Sequence, residues 1–597
     1  MVALALVVSC AGPAVAQVNT GIVPTESRTT WAPGVTTGIP ARVTICATIQ
    51  AATYGNGAAE SSAGIQAAIA ACPLGQTVLL SAGTFLVNDY ILINKAVTLR
   101  GAGPGMTTLR KTNGAVQGSY MAEEYEPLVV IGPNRFQNFA PGSVNLSSDG
   151  IQGSHTVTVA NAAGFLPGQF VFLDADEYTT ASWQALPPRN GQPTTVRIWA
   201  SDRVVFAKHD PPDPADDPFP ASLTWFSRSG RPITEIKEIA SVAGTTLTFT
   251  TPLHVGYPLA KLPQLTKWDV AHFQGGGLED LTVSGGSDGN VRFETTAQSW
   301  VKNIESTAWL GQAVSINGSF RVEVRDSYIH DAVHPYPGGG GYGLGISWGS
   351  SEVLIENNII LGANKNMVVQ SAGAGSVVGY NYMDNSFIGN QLDWVEVGLN
   401  ASHMVGPHHV LFEGNQSHNY DSDDTHGSSF AMTIFRNHLV GIRRDYQGQQ
   451  NGRAAGLMFG SWWHAFIGNV LGEPGKMTGW LYDEWIATTG HIFKLGYAPS
   501  HWEQAQDPKV LSTVLRDGNW DYLTNTVKWD RPAQALPNSL YLSAKPSFFG
   551  SRAWPWVDPT GTTKLGVLPA RERYEGLVGG VPPTMPHTLP ARVTPSP

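Results

Sequence analysis

The sequence predicts an all-β chain wound into a right-handed parallel β-helix, a solenoid with an N-terminal capping helix, a small β insertion and a C-terminal aromatic-rich cap. Three observations predict it. A short strand ending in Asn or Asp recurs at Asp280, Asn303, Asp326, Asn357, Asn381, Asn415, Asn437 and Asn469, with gaps of 23, 23, 31, 24, 34, 22 and 32 residues. A base period of 22–24 residues with insertions of about 8–10 is what three-strand coils carrying loops produce. Charged residues make up 14% of the chain, against roughly 25% in average globular usage, so solvated helix faces are few. The runs TVLLSAGTFLV and AVTLRGAG alternate with period two and close on Gly. Asn and Asp suit a repeated turn because both tolerate left-handed backbone and bond locally. Stacked Asn side chains also bond from one rung to the next.

The elements follow in order. Residues 1–16 read as a secretory signal, an apolar run ending in Ala14-Val15-Ala16 with cleavage before Gln17. Val7-Val8-Ser9-Cys10 offers a second reading, a lipoprotein anchored through Cys10. Either way the chain is expected to be exported, outside the cell or in the periplasm. No other run approaches the ~18 apolar residues that span a bilayer. Residues 17–41 read as an extended, Thr/Gly/Pro-rich lead-in. Residues 42–144 hold an N-terminal cap and the first coils. Ser62 can cap a helix whose one face carries Ile65, Ala68, Ile69 and Cys72. Such a helix would cover the open end of the solenoid and its strand edge. Cys46 and Cys72 form an even pair in an exported chain. They read as a disulfide or as two small buried thiols.

Capping helix, strand, Ala82-Gly83-Thr84-Phe85, second strand and Leu99-Arg100-Gly101-Ala102-Gly103 together resemble the start of pectin lyase-like β-helix proteins. The resemblance runs over about residues 42–110 and 270–475. It implies a fold and a polysaccharide substrate, and no particular reaction. The NTD, paired-Asp, GHG and RIK set of polygalacturonases and the Arg-Pro motif of pectate lyases are absent as sets, so no catalytic residue is carried over.

Residues 145–260 break the ladder and read as a β insertion around the loop HDPPDPADDPFP. The main coils are expected over 261–480, an aromatic cap packed over the last coil over 481–560, and a loose Pro-rich tail over 561–597. Residues 451–560 carry 9 of the 18 Trp, which is what makes that segment read as a cap.

A formal charge of −10 argues against nucleic acid or an anionic membrane as partner, since both need a basic footprint. A polysaccharide remains, bound by a monomer. Long insertions after Asp326, Asn381 and Asn437 leave one corner of the helix, where stacked loops build the wall of a groove. Polar residues gather behind the anchors. Lys365 follows Asn357. The insertion after Asn381 carries Trp394, Glu396 and His403. After Asn415 come His418, Asp421, Asp423, Asp424 and His426. After Asn437 come Arg443 and Arg444.

Three readings compete for the run 418–426. Asp421, Asp423 and Asp424 could ligate calcium through oxygen. The same carboxylates could supply acid and base for glycoside hydrolysis. Or His418 or His426 could move a proton in β-elimination, with Lys365 and Arg443 as cationic partners. Trp348, Trp394 and Trp462, with Glu396 and Arg444, are the expected sugar contacts, since flat rings stack on the apolar face of a sugar. The expected function is a secreted polysaccharide-degrading enzyme, with lyase chemistry slightly favoured over hydrolysis. A non-catalytic adhesin or glycan-binding β-helix is the rival.

Overall fold

A computed structural model describes residues 21–116, 126–134, 138–175, 182–189, 192–200, 203–208, 227–228, 230–335, 340–386, 398–423, 427–442, 452–485, 489–497 and 506–578. Coil after coil stacks in parallel register. Eleven strands form one all-parallel sheet, here the floor sheet. In spatial order they begin at Ile91–Ile93, Val129–Ile131, Val291–Glu294 and Gln312–Asn317. They continue through Tyr342–Ser347, Met367–Gln370, Leu399–Asn400 and Tyr420–Ser422 to Arg453–Met458, His491–Tyr497 and Leu481–Glu484. A second, 21-stranded sheet forms the opposite wall in two ladders. Val324, Ile355, Val378, Phe412, Ile434 and Phe466 from that wall meet Leu344, Met367, Leu399, Tyr420, Ala455 and Phe493 from the floor sheet, all in one buried core.

The recurring Asn and Asp do two different jobs, one residue apart. Asp280, Asn303, Asp326 and Asn357 have positive φ and form the left-handed corner itself. Their side chains bond to one another outside, Asn303 Nδ2 donating to Asp280 Oδ1 and Asn357 Nδ2 to Asp326 Oδ1, each at 2.7 Å. From the next coil on, the corner passes to Tyr380, Gly414, Arg436 and Gly468. Asn381, Asn415, Asn437 and Asn469 follow that corner and point inward. They continue a ladder that starts at Asn358 and ends at Asn519, each amide bonded to the next at 2.8–3.1 Å. The anchor spacing of 24 from Asn357 to Asn381 is therefore a 23-residue coil counted from the wrong one of two adjacent asparagines.

The coils also run further than expected. His491–Tyr497 pairs with Arg453–Met458, and Asn519 extends the ladder. The strands Leu481–Glu484, His491–Tyr497 and Leu515–Asp521 are thus solenoid rather than cap. The aromatic segment after them does not sit on the last coil. It runs back along the outer face of the ladder sheet. Trp556 Nε1 donates to Gly414 O (2.6 Å), Tyr541 Oη to Glu356 (2.7 Å), and Arg436 holds Pro537 O and Val557 O. The reason is the apolar outer row Leu354, Val377, Tyr380, Leu411, Phe435 and Ile467, which needs cover along several coils. The helix Pro569–Leu577 continues this strap, with Tyr574 buried, so the tail is ordered to at least residue 578. Residues 22–36 form a second strap on another corner. Ser27 bonds Trp463 O, Trp31 Nε1 donates to His409 O, and Gly34 N to Glu352 O.

Beneath the C-terminal strap, Glu413 accepts from Tyr380 Oη and Leu540 N, both at 2.8 Å. Burial pushes its carboxyl up to about 7, against the pull of the Ser539, Leu540 and Tyr380 hydrogen bonds. A raised folded value stabilises the fold at low pH, and that contribution fades as pH rises through about 7. Urea unfolding of the native protein and Glu413→Gln should therefore show the native protein losing roughly 2–3 kcal/mol more between about pH 5 and about pH 8. Parallel pH curves for the two proteins count against this account.

At the N-terminal end the helix Ser62–Ala71 buries Ile65 and Ile69 against the first coils. Cys46 and Cys72 are joined in a disulfide, with Cα atoms 5.5 Å apart and a sequence separation of 26. It ties the edge strand Ile45–Ile49 to the end of the capping helix. Replacing both cysteines by Ala should cost about 3 kcal/mol, the loop-closure term for this separation, read as a lowered denaturation midpoint. An unchanged midpoint would mean that the end of the solenoid frays independently.

The β insertion is a six-stranded antiparallel sheet of Phe139–Asn145, Gln264–Trp268, Phe170–Ala175, Ile233–Ala243, Thr246–Phe249 and Thr156–Thr158. Phe170, Phe172 and Ile236 pack on Ala297 and Phe320 at the downstream corner of the floor sheet. Gly349 is required there, because a Cβ would meet the Phe172 ring.

Candidate functional site

Side chains alternate along a strand, so every second residue of the floor sheet faces outward. Strand pairing puts Arg292, Ser315, Gly345, Val368, Asn400, Asp421, Gly456 and Lys494 in one outward row. A second row begins Glu294, Asn317, Ser347 and Gln370, and by the same count reaches Asp423. The insertions leave the ladder strands Tyr328–His330, Tyr382–Asp384 and His438–Leu439 and rejoin the floor strands beginning at Tyr342, Leu399 and Arg453. Their attachment points therefore stack at one corner, as the spacing implied. The β insertion packs at the opposite corner.

Polar groups converge on Asp423. His403 Nδ1–H donates to its Oδ2 (3.2 Å), Asn400 Nδ2 donates to the same oxygen (2.8 Å), and Lys365 Nζ lies 3.7 Å away. Burial alone would raise this carboxyl. The His403 charge and hydrogen bond, with Lys365 and Asn400, outweigh it and hold it well below the usual carboxylate range. The ring of Tyr342 meets that of His403 edge-on at 5.9 Å. Asp421 gathers a second group. Arg453 donates from Nε (2.9 Å) and from Nη2, and Tyr497 Oη donates at 3.1 Å. Arg453 and Lys494 both lie against the Tyr497 ring. Gly456 separates Asp421 from Lys494 in the row. Its missing side chain is what lets the guanidinium cross, since a Cβ would lie 2.6 Å from Arg453 Nε.

The sequence candidates fall into three groups. Lys365, Asp421 and Asp423 sit at this site. Lys365 and Asp423 meet through side-chain reach, whereas Asp421 belongs to the neighbouring group with Arg453 and Tyr497. In register Lys365 stands level with His418, three positions ahead of Val368, and Asp421 stands level with Val368. Asp424, His426, Arg443, Arg444, Trp394 and Glu396 lie outside the described residues. The rest sit elsewhere. His418 is buried at the upstream corner with the Ser386 hydroxyl 2.9 Å from its Nε2. Trp462 is a core residue whose Nε1 donates to Asp507, so it is no exposed sugar platform. Trp348 is 40% exposed at the end of Tyr342–Ser347.

A calcium site does not fit the described residues. Asp421 and Asp423 are each engaged by cations and donors, and no group of three or more His, Cys, Asp or Glu among the described residues could hold a metal. The anchor rule missed Arg453, Asn400 and Tyr497. Arg453 and Tyr497 are 32 and 76 residues from Asp421. Only Arg453, opening the strand Arg453–Met458 one coil beyond the acidic run, gave a usable hint.

Residues 51–183 match the family model described as rhamnogalacturonase A/epimerase, pectate lyase-like. The chain folds as a right-handed parallel β-helix, and its residues 51–183 are similar to that pectate lyase-like model. No curated protein matches the sequence. Among solved structures, the tailspike of Pseudomonas phage phi297 is 13% identical, covers 77% of this chain and 68% of its own, and superposes with a TM-score of 0.45. The tailspike of Acinetobacter baumannii bacteriophage AP22, solved with a capsular saccharide, is 9% identical, with 75% and 68% covered and a TM-score of 0.42. The alginate lyase of Paenibacillus sp. str. FPU-7 is 8% identical, with 76% and 99% covered and a TM-score of 0.38. No helix among the described residues is long and apolar enough to cross a membrane.

Proposed function

We propose that this β-helix is an exported polysaccharide lyase that cleaves a uronate-containing glycan by β-elimination on the outer face of its floor sheet. The observation that carries the reading is the convergence of His403, Lys365 and Asn400 on the single carboxylate Asp423. Asp423 accepts a hydrogen bond from His403 Nδ1–H, so that in the neutral ring the lone pair falls on Nε2, the form of imidazole that acts as a base. Lys365 supplies positive charge beside it. The uronate carboxylate is neutralised by that charge, which acidifies the C5 proton. His403 Nε2 takes the C5 proton, the electron pair forms the C4=C5 bond, and the C4–O4 bond breaks. The same imidazolium returns the proton to the departing O4. Asp423 holds the ring and balances its transient charge throughout.

Hydrolysis is the weaker reading on the same geometry. A glycosidase needs one carboxylic acid that keeps its proton near neutrality. Asp423 is held well below that range, and Asp421 is bound by the Arg453 guanidinium.

The test uses the exported chain from Gln17 on acidic and neutral polysaccharides, following ultraviolet absorbance of the new double bond alongside reducing ends. Both should rise together on an acidic glycan. Reducing ends without absorbance would establish hydrolysis. Binding with neither signal would establish a glycan-binding scaffold.

A further inference from the structure

We propose that Gln312, Ser315 and Gln370, around the bare backbone of Gly345, form a subsite for an uncharged sugar, so that the substrate is a mixed glycan. The inference rests on the lyase reading for the identity of the neighbouring sugar as a uronate.

The subsite lies on the same floor, toward the N-terminal end. Ser315 faces outward between Arg292 and Gly345 in the first row. It is 5% exposed, and its hydroxyl has no hydrogen-bond partner among the described residues. Gln312 Oε1 is likewise buried without one. Two unanswered polar groups at one place are costly in a folded protein unless something else completes them. Gly345 explains how the Gln312 amide gets there. The amide lies over the glycine where a Cβ would stand, and from there Nε2 donates to Gln370 Oε1 (2.9 Å). Ser347 Oγ donates to the same oxygen (2.9 Å). The result is a small set of hydroxyl and amide groups, both donors and acceptors.

The charges nearby suit a neutral ligand. Arg292 is paired with Asp288 at 2.9 Å, and Glu294, which accepts from Asn317, adds a negative group to the second row. A uronate would meet that carboxylate, whereas sugar hydroxyls, each a donor and an acceptor, match the amides. The strand Tyr342–Ser347 is two strand spacings from Leu399–Asn400, roughly 10 Å. That is longer than one pyranose ring, so the neutral sugar and the reacting uronate are different units of one chain.

Gly345→Ala is the specific probe. The three atoms nearest its Cβ would all belong to the end of the flexible Gln312 side chain, so the fold survives while the amide is displaced. The experiment compares binding and cleavage by the native protein, Gly345→Ala and Ser315→Ala, all checked for matching melting temperatures. The polymers are hyaluronan, in which uronate alternates with an uncharged amino sugar, and the homopolymers polygalacturonate and alginate. The expected result is tighter binding of the alternating polymer by the native protein. Gly345→Ala should weaken that binding about tenfold, the loss of one or two hydrogen bonds, and leave the homopolymers unchanged. Equal binding of hyaluronan by native protein and Gly345→Ala overturns the subsite, as does native binding of a homopolymer as tight as that of hyaluronan, or no binding of either. Native binding of hyaluronan that Gly345→Ala weakens, without cleavage of any polymer, would retain the subsite and defeat the lyase reading. Cleavage of homopolymers alone would do the reverse.

Discussion

His403→Ala should lower turnover on the acidic glycan by about two to four orders of magnitude, the range for loss of a positioned general base. The effect should fall on kcat, with KM little changed, because Lys365 and Arg453 keep the cationic surface that receives the carboxylate. Folding should survive. His403 is only partly buried, and its ring bonds Asp423 and meets Tyr342 edge-on. Asp423→Asn tests the same arrangement from the other side. An amide presents a donor or an acceptor to Nδ1 according to its orientation, so the ring no longer has a fixed tautomer. Its activity should fall strongly while the native acid dependence disappears. In the native protein the Asp423 carboxyl lies well below its ordinary value. The stability it contributes is present above the unfolded value, near 3.9, and is lost only as pH falls through the depressed one. Native-like turnover by His403→Ala would remove this residue from the chemistry and leave Lys365 as the base to test next.

The largest stability loss is expected from Asn415→Ala, at about 4 kcal/mol or more. Asn415 is fully buried in the middle of the internal ladder. Its Oδ1 accepts from the backbone and side-chain amides of Asn381, both at 3.0 Å, and its Nδ2 donates to Val378 O and Asn437 Oδ1 at 2.8 and 2.9 Å. Alanine removes four hydrogen bonds at once and leaves Asn381 N without its acceptor, while Asn381 Nδ2 keeps Ile355 O and Asn437 Oδ1 keeps Asn415 N; each lost bond costs about 1 kcal/mol and a buried unsatisfied group about 1–3 kcal/mol. Because every coil rests on the next, the damage should spread, and chemical unfolding should lose cooperativity as well as midpoint. Asn357→Ala is the control. Asn357 also ends a recurring strand, but it forms the left-handed corner and, among the described residues, its Nδ2 bonds only Asp326. It should cost less than half as much. Equal losses for the two would mean that the internal ladder adds nothing beyond corner geometry.

That contrast shows where the sequence is legible. The period of the coils could be read because each coil repeats a local requirement, a residue that tolerates left-handed backbone beside one that stacks inside. The two requirements are met by the same residue type. At Asn357-Asn358 they are met by neighbours, so the spacing alone slips by one. One residue is enough to exchange the faces of a strand, and the unequal lengths of the loops between coils set Lys365 level with His418 rather than with Asp423. The pair Asp421 and Asp423 was legible as an unusual concentration of carboxylate. Their partners were not, because Arg453, Tyr497 and Lys365 come from other coils across insertions of irregular length.

By itself, then, the sequence determined the parallel β-helix, its capping helix, the presence of a β insertion and the corner from which the loops leave. All of these follow from local backbone preference repeated at a near-constant interval. Only the tertiary structure decided that the aromatic tail runs lengthwise along an apolar outer face, that Trp462 is core, and that His403 and Lys365 meet at Asp423. Those outcomes depend on which coil lies beside which and on how far a long side chain reaches between strands about 4.8 Å apart, and neither quantity is written in the spacing of residues along the chain.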